Sequence, residues 1–234
     1  DKTEEKEKED KTKKEKTFEE VTKQSKLIEG LFDIYQDSIS GKIQMLIKEE
    51  QLSKDFIYGS QIADGIVQAG GFRGLYNDEK IINFKKFFDK IEISFINTNF
   101  YFDKNNPLYK SREANISNAI ISSSKIDFHD KENGTYLINA NDLFLSEALT
   151  RVKPPSRPNQ SRTAFSLGSL DKAKSKIMDI RNYPENLNIK TDYVYNNYPS
   201  YKGNSLIIRE KSNCFHVCKH EDGSPLILGK KISK

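Results

Sequence analysis

Hydrophobic and polar residues alternate along much of the chain after residue 40, which is the pattern of half-buried β-strands. Ile43, Met45 and Ile47 occupy every second position, and residues 56–62 follow after the charged turn 53–55. These two segments are predicted to pair as a hairpin. Further segments rich in aliphatic and aromatic residues, bounded by turn residues, predict strands at 81–84, 91–96, 100–102, 125–128, 135–138, 175–181, 187–195 and 205–209.

Helical spacing occurs in three places. Phe18, Val21 and Ile28 allow a short helix within 17–28 that Gly30 would end. A second helix is predicted over 113–123, and a third follows Asn141 as its N-cap and extends to residue 152, before a proline-rich stretch. The predicted fold class is therefore α+β, mainly antiparallel β with two inserted helices.

The first 16 residues differ from the rest, because 14 of them are charged and none is apolar. Such a segment cannot recover the entropy of ordering, so we expect a disordered tail, with a solvated helix held by Glu–Lys pairs as the alternative. We assign 1–26 to a charged flexible leader and 27–212 to a β-rich domain, which could divide into 27–76 and 77–212. Residues 213–234 form a separate C-terminal segment.

Composition adds little to this picture. The 234 residues include 38 basic and 34 acidic side chains, and a net charge of +4 is too dilute to indicate nucleic-acid binding. No apolar run reaches the length of a membrane span. The aromatic residues of the central region stand at strand spacing beside aliphatic ones, so core packing is predicted for Phe84, Phe87, Phe88, Phe95, Phe100 and Phe102.

The densest set of metal-ligating side chains is Cys214, His216, Cys218 and His220. Zinc requires four such groups around one tetrahedral centre. On a strand, ligands two residues apart would be separated by about 6.6 Å, and on a helix the cysteine pair and the histidine pair would point to opposite sides. Only an irregular loop or a second chain could gather the four, so no metal site and no cofactor are predicted.

A second motif is the glycine-rich loop Gly71-Phe72-Arg73-Gly74. It fits the four-residue loop of KH RNA-binding domains, but those domains place a helix on each side, and here predicted strands flank it. A connector that requires positive φ is the preferred interpretation. The signatures of zinc peptidases (His-Glu-x-x-His), serine hydrolases and kinases do not occur, so no catalytic residue is assigned and the chain is not expected to be an enzyme.

The order of segments along residues 16–210 resembles the start of secreted bacterial zinc-dependent metalloproteases of the kind abundant in Bacteroidetes. The segments that carry the resemblance are KTFEEV at 16–21, GLFDIY at 30–35, LSKDFIYGSQI at 52–62 and SKIMDIRNYPENLNI at 175–189. In that family two domains of unknown function precede a metzincin-like peptidase domain. The similarity lies in apolar and turn residues, and residues 213–234 do not follow the family pattern; truncation, a divergent end or an altered reading frame would each explain this.

The resemblance implies a non-catalytic N-terminal accessory region, secreted, periplasmic or at the cell surface, whose partner is a peptidase domain in cis or in trans. The zinc-binding motif of the family lies downstream of this region, so no catalytic residue is carried over. A free-standing extracytoplasmic binding or structural module is the alternative. A zinc- or nucleic-acid-binding protein that uses 214–220 or 71–74 is the third hypothesis.

Overall fold

The structure is a computed structural model that describes residues 17–67, 71–100, 102–103, 105–111, 116–152, 167–196 and 205–216, the last of these by its backbone alone. Strands dominate the described residues. In chain order they are β1 (Ser25–Ile28), β2 (Asp33–Asp37), β3 (Ile43–Lys48), β4 (Asp55–Asp64), β5 (Tyr76–Phe87), β6 (Lys90–Phe95), β7 (Ala119–Asp130), β8 (Thr135–Asn139), β9 (Ser169–Leu170), β10 (Lys176–Tyr183), β11 (Asn186–Asn196) and β12 (Ser205–His216).

The described residues also contain two short α-helices, α1 (Phe18–Thr22) and α2 (Asn141–Phe144), and 3-10 turns at Glu49–Gln51 and Pro107–Ser111. Thr17 caps α1, because its side chain accepts a hydrogen bond from Glu20 N at 3.3 Å while Glu20 Oε2 accepts one from Thr17 N at 3.1 Å. No helix within the described part of the chain is long and apolar enough to cross a membrane.

The strands form one antiparallel sheet in the order β1-β2-β3-β8-β7-β6-β5-β4-β12-β11-β10, and β9 pairs with β11. Strands on both sides of residue 76 contribute to this sheet, because β3 pairs with β8 and β4 pairs with β5 and β12. The long strand β7 changes partner along its length. Its first part pairs with β6 and its second part with β8, with an irregularity between Ile126 and Phe128.

The sheet is curved, so that its two edge strands, β1 and β10, lie near each other. Asn182, on β10, bonds to the connection between β1 and β2 three times: Nδ2 donates to Ile28 O at 2.8 Å and Phe32 O at 2.7 Å, and Oδ1 accepts from Leu31 N at 3.1 Å. Leu31 N also donates to Tyr183 O at 2.7 Å. Strand β10 is therefore bonded to the last residue of β1 and to the connection that follows it.

The hydrophobic core lies on the inner face of the curved sheet. Strand β4 alternates strictly between buried and partly exposed positions, and Phe56, Tyr58 and Ile62 face inward. The rings of Phe32, Phe56 and Phe84 have centroids 5.1–5.6 Å apart. The period-2 pattern thus places one apolar face on the core, and this confirms the predicted β-rich class and the strands at 42–47, 56–62, 81–84, 91–96, 125–128, 135–138, 175–181, 187–195 and 205–209.

The predicted helix at 113–123 is wrong over the residues that the structure describes. Ala119 to Ser123 belong to β7, paired with β6 from Phe95 to Glu92, whereas 112–115 lie outside the described residues. The three consecutive serines 122–124 have modest helix propensity, and pairing with β6 decides their conformation.

The other two predicted helices are shorter than expected. The N-terminal helix ends at Thr22 and Ser25–Ile28 is a strand, because Ser25 to Ile28 pair in register with β2. The helix expected from Asn141 to residue 152 ends at Phe144. Asn141 is not its N-cap, which is Ala140; the Asn141 side chain instead accepts from Ile43 N at 3.2 Å.

Three further predictions are wrong: the β3–β4 hairpin, the strand at 100–102 over its described residues, and the core packing of three phenylalanines. Strands β3 and β4 do not form a hairpin, because β3 pairs with β2 and β8. Phe100 and Phe102 lie outside the strands. Phe84 is buried as predicted, but Phe87, Phe88 and Phe100 are exposed. Phe87 and Phe88 lie at the turn between β5 and β6, and Phe100 lies in the segment after β6. The tail 1–16 and most of the proline-rich stretch after residue 152 lie outside the described residues.

Candidate functional site

The metal-ligand candidates are only partly within the described residues. Cys214 and His216 lie on β12 between two other strands: Cys214 is opposite Asn188 and Gly59, and His216 is opposite Asn186 and Ile57. Cys218 and His220 lie outside the described residues. Within the part of the chain that the structure covers, no group of three or more His, Cys, Asp or Glu side chains could hold a metal ion.

The glycine-rich loop connects β4 to β5. Gly74 N donates to Ile62 O at 2.8 Å, and Ile62 N donates to Leu75 O at 2.9 Å. Gly74 has φ +84°, so the prediction of a connector that requires positive φ is confirmed. The strands that flank this loop differ from the helices that a KH domain places there.

A cleft of about 310 Å³ lies beside this connection. Gln61 and Lys190 alternate with the buried residues of β4 and β11, so both stand on the outer face of the sheet. Strand β12 runs between them, and Lys211 is opposite both Gln61 and Lys190 in the backbone register. The described residues that line the cleft are Gln61, Ile62, Ala63, Arg73, Gly74 and Lys190.

The lining of the cleft suits an anion. Arg73 is exposed and Lys190 is half-buried, and the side-chain amide of Gln61 is held beside them by a bond from Nε2 to Gly74 O at 3.3 Å. Guanidinium and ammonium groups bind carboxylates and phosphates through charge-assisted hydrogen bonds. The described lining residues include no Ser, Cys, His, Asp or Glu.

A second polar cluster lies on the inner face of the curved sheet and involves the segment that follows α2. The Tyr58 hydroxyl is hydrogen-bonded to that of Thr150, which in turn donates to Ser60 Oγ at 3.0 Å. All three side chains are buried. The network ties the segment after α2 to β4, which is a structural role because each hydroxyl is committed to a partner.

Strand β11 holds the same segment from the other side. Tyr193 OH donates to Phe144 O at 2.8 Å and to Ser146 O at 3.1 Å, while Tyr195 OH donates to Glu147 Oε1 at 2.7 Å. In a longer helix α2, Phe144 O would accept from Ala148 N, but Ala148 N donates instead to Ser146 Oγ at 3.3 Å. The Tyr193 hydroxyl takes the place of the missing helical donor. Strand alternation places Tyr193 and Tyr195 on one face, but no local signal reveals their partners.

Sequence reasoning noted Arg73 only as part of the glycine-rich loop and did not single out Lys190. The cleft exists because β12, a late strand, lies between β4 and β11. Neither residue type nor spacing reveals that arrangement, so no sequence signal could have found the pair.

Comparison with known proteins gives one family. A family model described as a domain of unknown function, DUF5117, matches residues 74–216, more than half of the chain. This range runs from the last glycine of the loop to the end of β12 and includes Lys190. No curated protein and no solved structure matches the chain significantly. The chain therefore belongs to the DUF5117 family of domains of unknown function.

Proposed function

We propose that this chain is the non-catalytic accessory region of a secreted zinc-dependent metalloprotease-like protein, and that its cleft binds an acidic segment of the peptidase domain. Two observations support the proposal. The segment order along 16–210 resembles that family, in which domains of unknown function precede the peptidase domain, and the family model that matches 74–216 is itself described as a domain of unknown function. The cleft between Arg73 and Lys190 is the observation that carries the binding role.

The energetics of the cleft favour a partner that is tethered to the same protein. An exposed ion pair contributes about 0.2–1 kcal/mol, so two such pairs give weak affinity for a free ligand. A covalent linker raises the effective concentration of the partner to the millimolar range, at which weak contacts become occupied. A cleft of this kind therefore suits an accessory domain that positions a neighbouring domain.

The test begins with the DNA downstream of this reading frame, where we expect a zinc-binding His-Glu-x-x-His helix to be encoded. The peptidase domain found there is then titrated onto the purified 234-residue chain by biolayer interferometry. Arg73→Glu with Lys190→Glu is expected to weaken binding at least about fivefold, because each reversed charge replaces attraction by repulsion. The chain alone is expected to show no zinc-dependent cleavage of casein.

The matched control reverses two exposed lysines remote from the cleft, Lys26→Glu with Lys131→Glu, which changes the net charge equally. If both double variants weaken binding to the same extent, the cleft has no specific role. If no peptidase domain is encoded and none binds, the accessory role is wrong and a free-standing binding module takes its place.

A further inference from the structure

The tip of the β5–β6 hairpin presents two phenylalanines to solvent. Phe87 is opposite Lys90 in the register, and Phe88 and Asp89 form the two-residue link between the strands. Phe87 is 56% exposed and Phe88 is 83% exposed. Their ring centroids are 4.8 Å apart with the planes nearly perpendicular, so the two side chains form one continuous apolar surface.

The backbone at this tip is strained. Phe88 has φ +50°, which is in the left-handed region. Gly and Asn adopt this region readily, whereas a bulky side chain rarely does. The hairpin holds it there through its register and through the bond from Ile126 N to Asp89 O at 2.8 Å. The paired strands on both sides of the turn therefore hold Phe88 in a backbone conformation that a bulky side chain rarely adopts.

Lysines surround the two rings. Lys85, Lys86 and Lys90 lie on the hairpin, and Lys125 is opposite Lys90 on β7. Lys86 Nζ lies 5.1 Å from the centroid of the Tyr136 ring. The acidic side chains on the same hairpin segment are Asp89, in the link, and Glu92, opposite Lys85. The charge of Lys85 also acts on Asp55, at the start of β4. Four cations therefore lie on the strands next to the apolar tip, against the three anions Asp55, Asp89 and Glu92.

We propose that this hairpin tip docks onto an anionic lipid bilayer, with the two phenyl rings at the boundary of headgroups and acyl chains and the lysines on the lipid phosphates. A convex tip of two side chains is far smaller than the roughly 1,000 Å² that a stable protein interface needs. A fluid bilayer can close around such a tip and bury both rings. Each lysine near an anionic surface adds about fivefold to the affinity.

A single-tryptophan reporter tests the contact directly, because the chain contains no tryptophan. With Phe88→Trp, we expect a blue shift of the emission on addition of vesicles of phosphatidylcholine and phosphatidylglycerol, and quenching by brominated lipids. Tyr76→Trp is the matched control, since Tyr76 is 72% exposed at the opposite end of β5. An unshifted spectrum for the Phe88→Trp protein, or an equal shift at both positions, overturns the proposal.

Flotation of the full chain with the same vesicles gives a second readout. Phe87→Ser with Phe88→Asn is expected to lower the partition coefficient at least about tenfold, because two buried phenyl rings are lost. Lys85→Gln with Lys90→Gln is expected to lower the preference over phosphatidylcholine alone by about 25-fold, at about fivefold for each lysine lost. Asn accepts the left-handed backbone, so the variant is expected to fold. If the phenylalanine variant floats with vesicles as well as the parent protein, the proposal is wrong. If the parent protein is a dimer and the phenylalanine variant is a monomer, the tip binds a second copy of the chain and not a lipid bilayer.

Discussion

Single aspartates shape three turns of this fold through bonds to the backbone that follows them. Asp37 Oδ1 accepts from Ser40 N and Ser40 Oγ, and these bonds hold the pKa of Asp37 below its ordinary value. Hydrogen bonds from Asn133 lower the pKa of Asp130. For Asp171 the pKa is lowered chiefly by the hydrogen bond from Lys174 and then by that from Asn196. The hydrogen bonds in each turn therefore stabilise the ionised form of its aspartate.

Asp55 shows the opposite effect. Burial raises the pKa of the Asp55 carboxyl, and the hydrogen bond from Asn83 and the charge of Lys85 offset part of that rise. Its neighbour Asn83 is itself buried, with Oδ1 lacking a partner among the described residues. The protonated form of Asp55 is therefore more favourable in the folded than in the unfolded chain.

Asp171→Asn and Asp55→Asn are expected to change the pH dependence of stability in opposite directions. The folded pKa of Asp171 lies below 3.8, so its stabilisation is present above that value and is lost as pH falls through the folded pKa. The asparagine side chain of the Asp171→Asn protein does not titrate, so this loss of stability at acid pH is expected to be absent. The folded pKa of Asp55 lies above 3.8, so stability declines as pH rises from 3.8 through the folded pKa, and Asp55→Asn removes that decline.

Urea unfolding from about pH 2 to about pH 6 measures both effects. Each asparagine keeps the size of the side chain and one acceptor oxygen, so the slope with pH reports the ionisation rather than the loss of the turn. Profiles for both variants that run parallel to the parent protein would contradict the prediction.

At the scale of elements, the segment after α2 depends on side chains of the sheet. The Tyr193 hydroxyl bonds to two carbonyls of this segment, at Phe144 and Ser146, and Thr150 joins it to β4. A helix of four residues is too short to be stable by itself. Tertiary hydrogen bonds and the burial of Leu143, Phe144 and Leu149 in the core, rather than helix propensity, therefore keep residues 141–150 in place.

Tyr193→Phe is expected to lower the free energy of unfolding by about 1–2 kcal/mol, because it leaves two carbonyls without their donor. Amide hydrogen exchange in residues 141–150 is expected to become faster, while exchange in the paired strands changes little. Tyr183→Phe is the matched control, since the Tyr183 side chain is about half exposed. Equal effects of the two substitutions would show that the Tyr193 hydroxyl does not anchor this segment.

At the scale of the whole molecule, one amide side chain joins the two ends of the sheet. Asn182 uses both of its side-chain groups, bonding to the backbone of Ile28, Leu31 and Phe32. Gly30 makes room for it, because a Cβ at this position would lie 2.2 Å from Asn182 Oδ1. Closure of the sheet therefore depends on a pair of residues that are distant in sequence.

Asn182→Ala is expected to lower the free energy of unfolding by about 2–3 kcal/mol, since three hydrogen bonds are lost together. Gly30→Ala is expected to be destabilising in the parent protein and much less so in the Asn182→Ala protein, where the colliding amide is gone. Chemical denaturation of the four proteins gives the coupling energy.

Arg181→Ala is the control beside Asn182. It removes an exposed ion pair with Asp179 and is expected to change stability by at most about 0.5 kcal/mol. Strictly additive effects of the Gly30 and Asn182 substitutions would contradict a direct contact between these two positions.

The local pattern of hydrophobic and polar residues was sufficient to predict most of the strands. Alternation over 56–62 matches the burial of β4, because successive side chains of a strand point to opposite faces. It does not match β11, where 191–195 are buried on both faces of the sheet. The positive φ at Gly74 also followed from local chemistry, since a glycine-rich connector between two strands commonly requires it. These features depend only on neighbours in sequence.

Everything that depends on distant partners was decided by the tertiary structure. Ala119 to Ser123 became strand because β6 pairs with them, and Phe87 and Phe88 are exposed because their strands end there. The cleft needs Arg73 and Lys190 on either side of a strand that comes later in the chain. The order of strands in a sheet is selected by contact energies between remote segments, which no local window of residues contains.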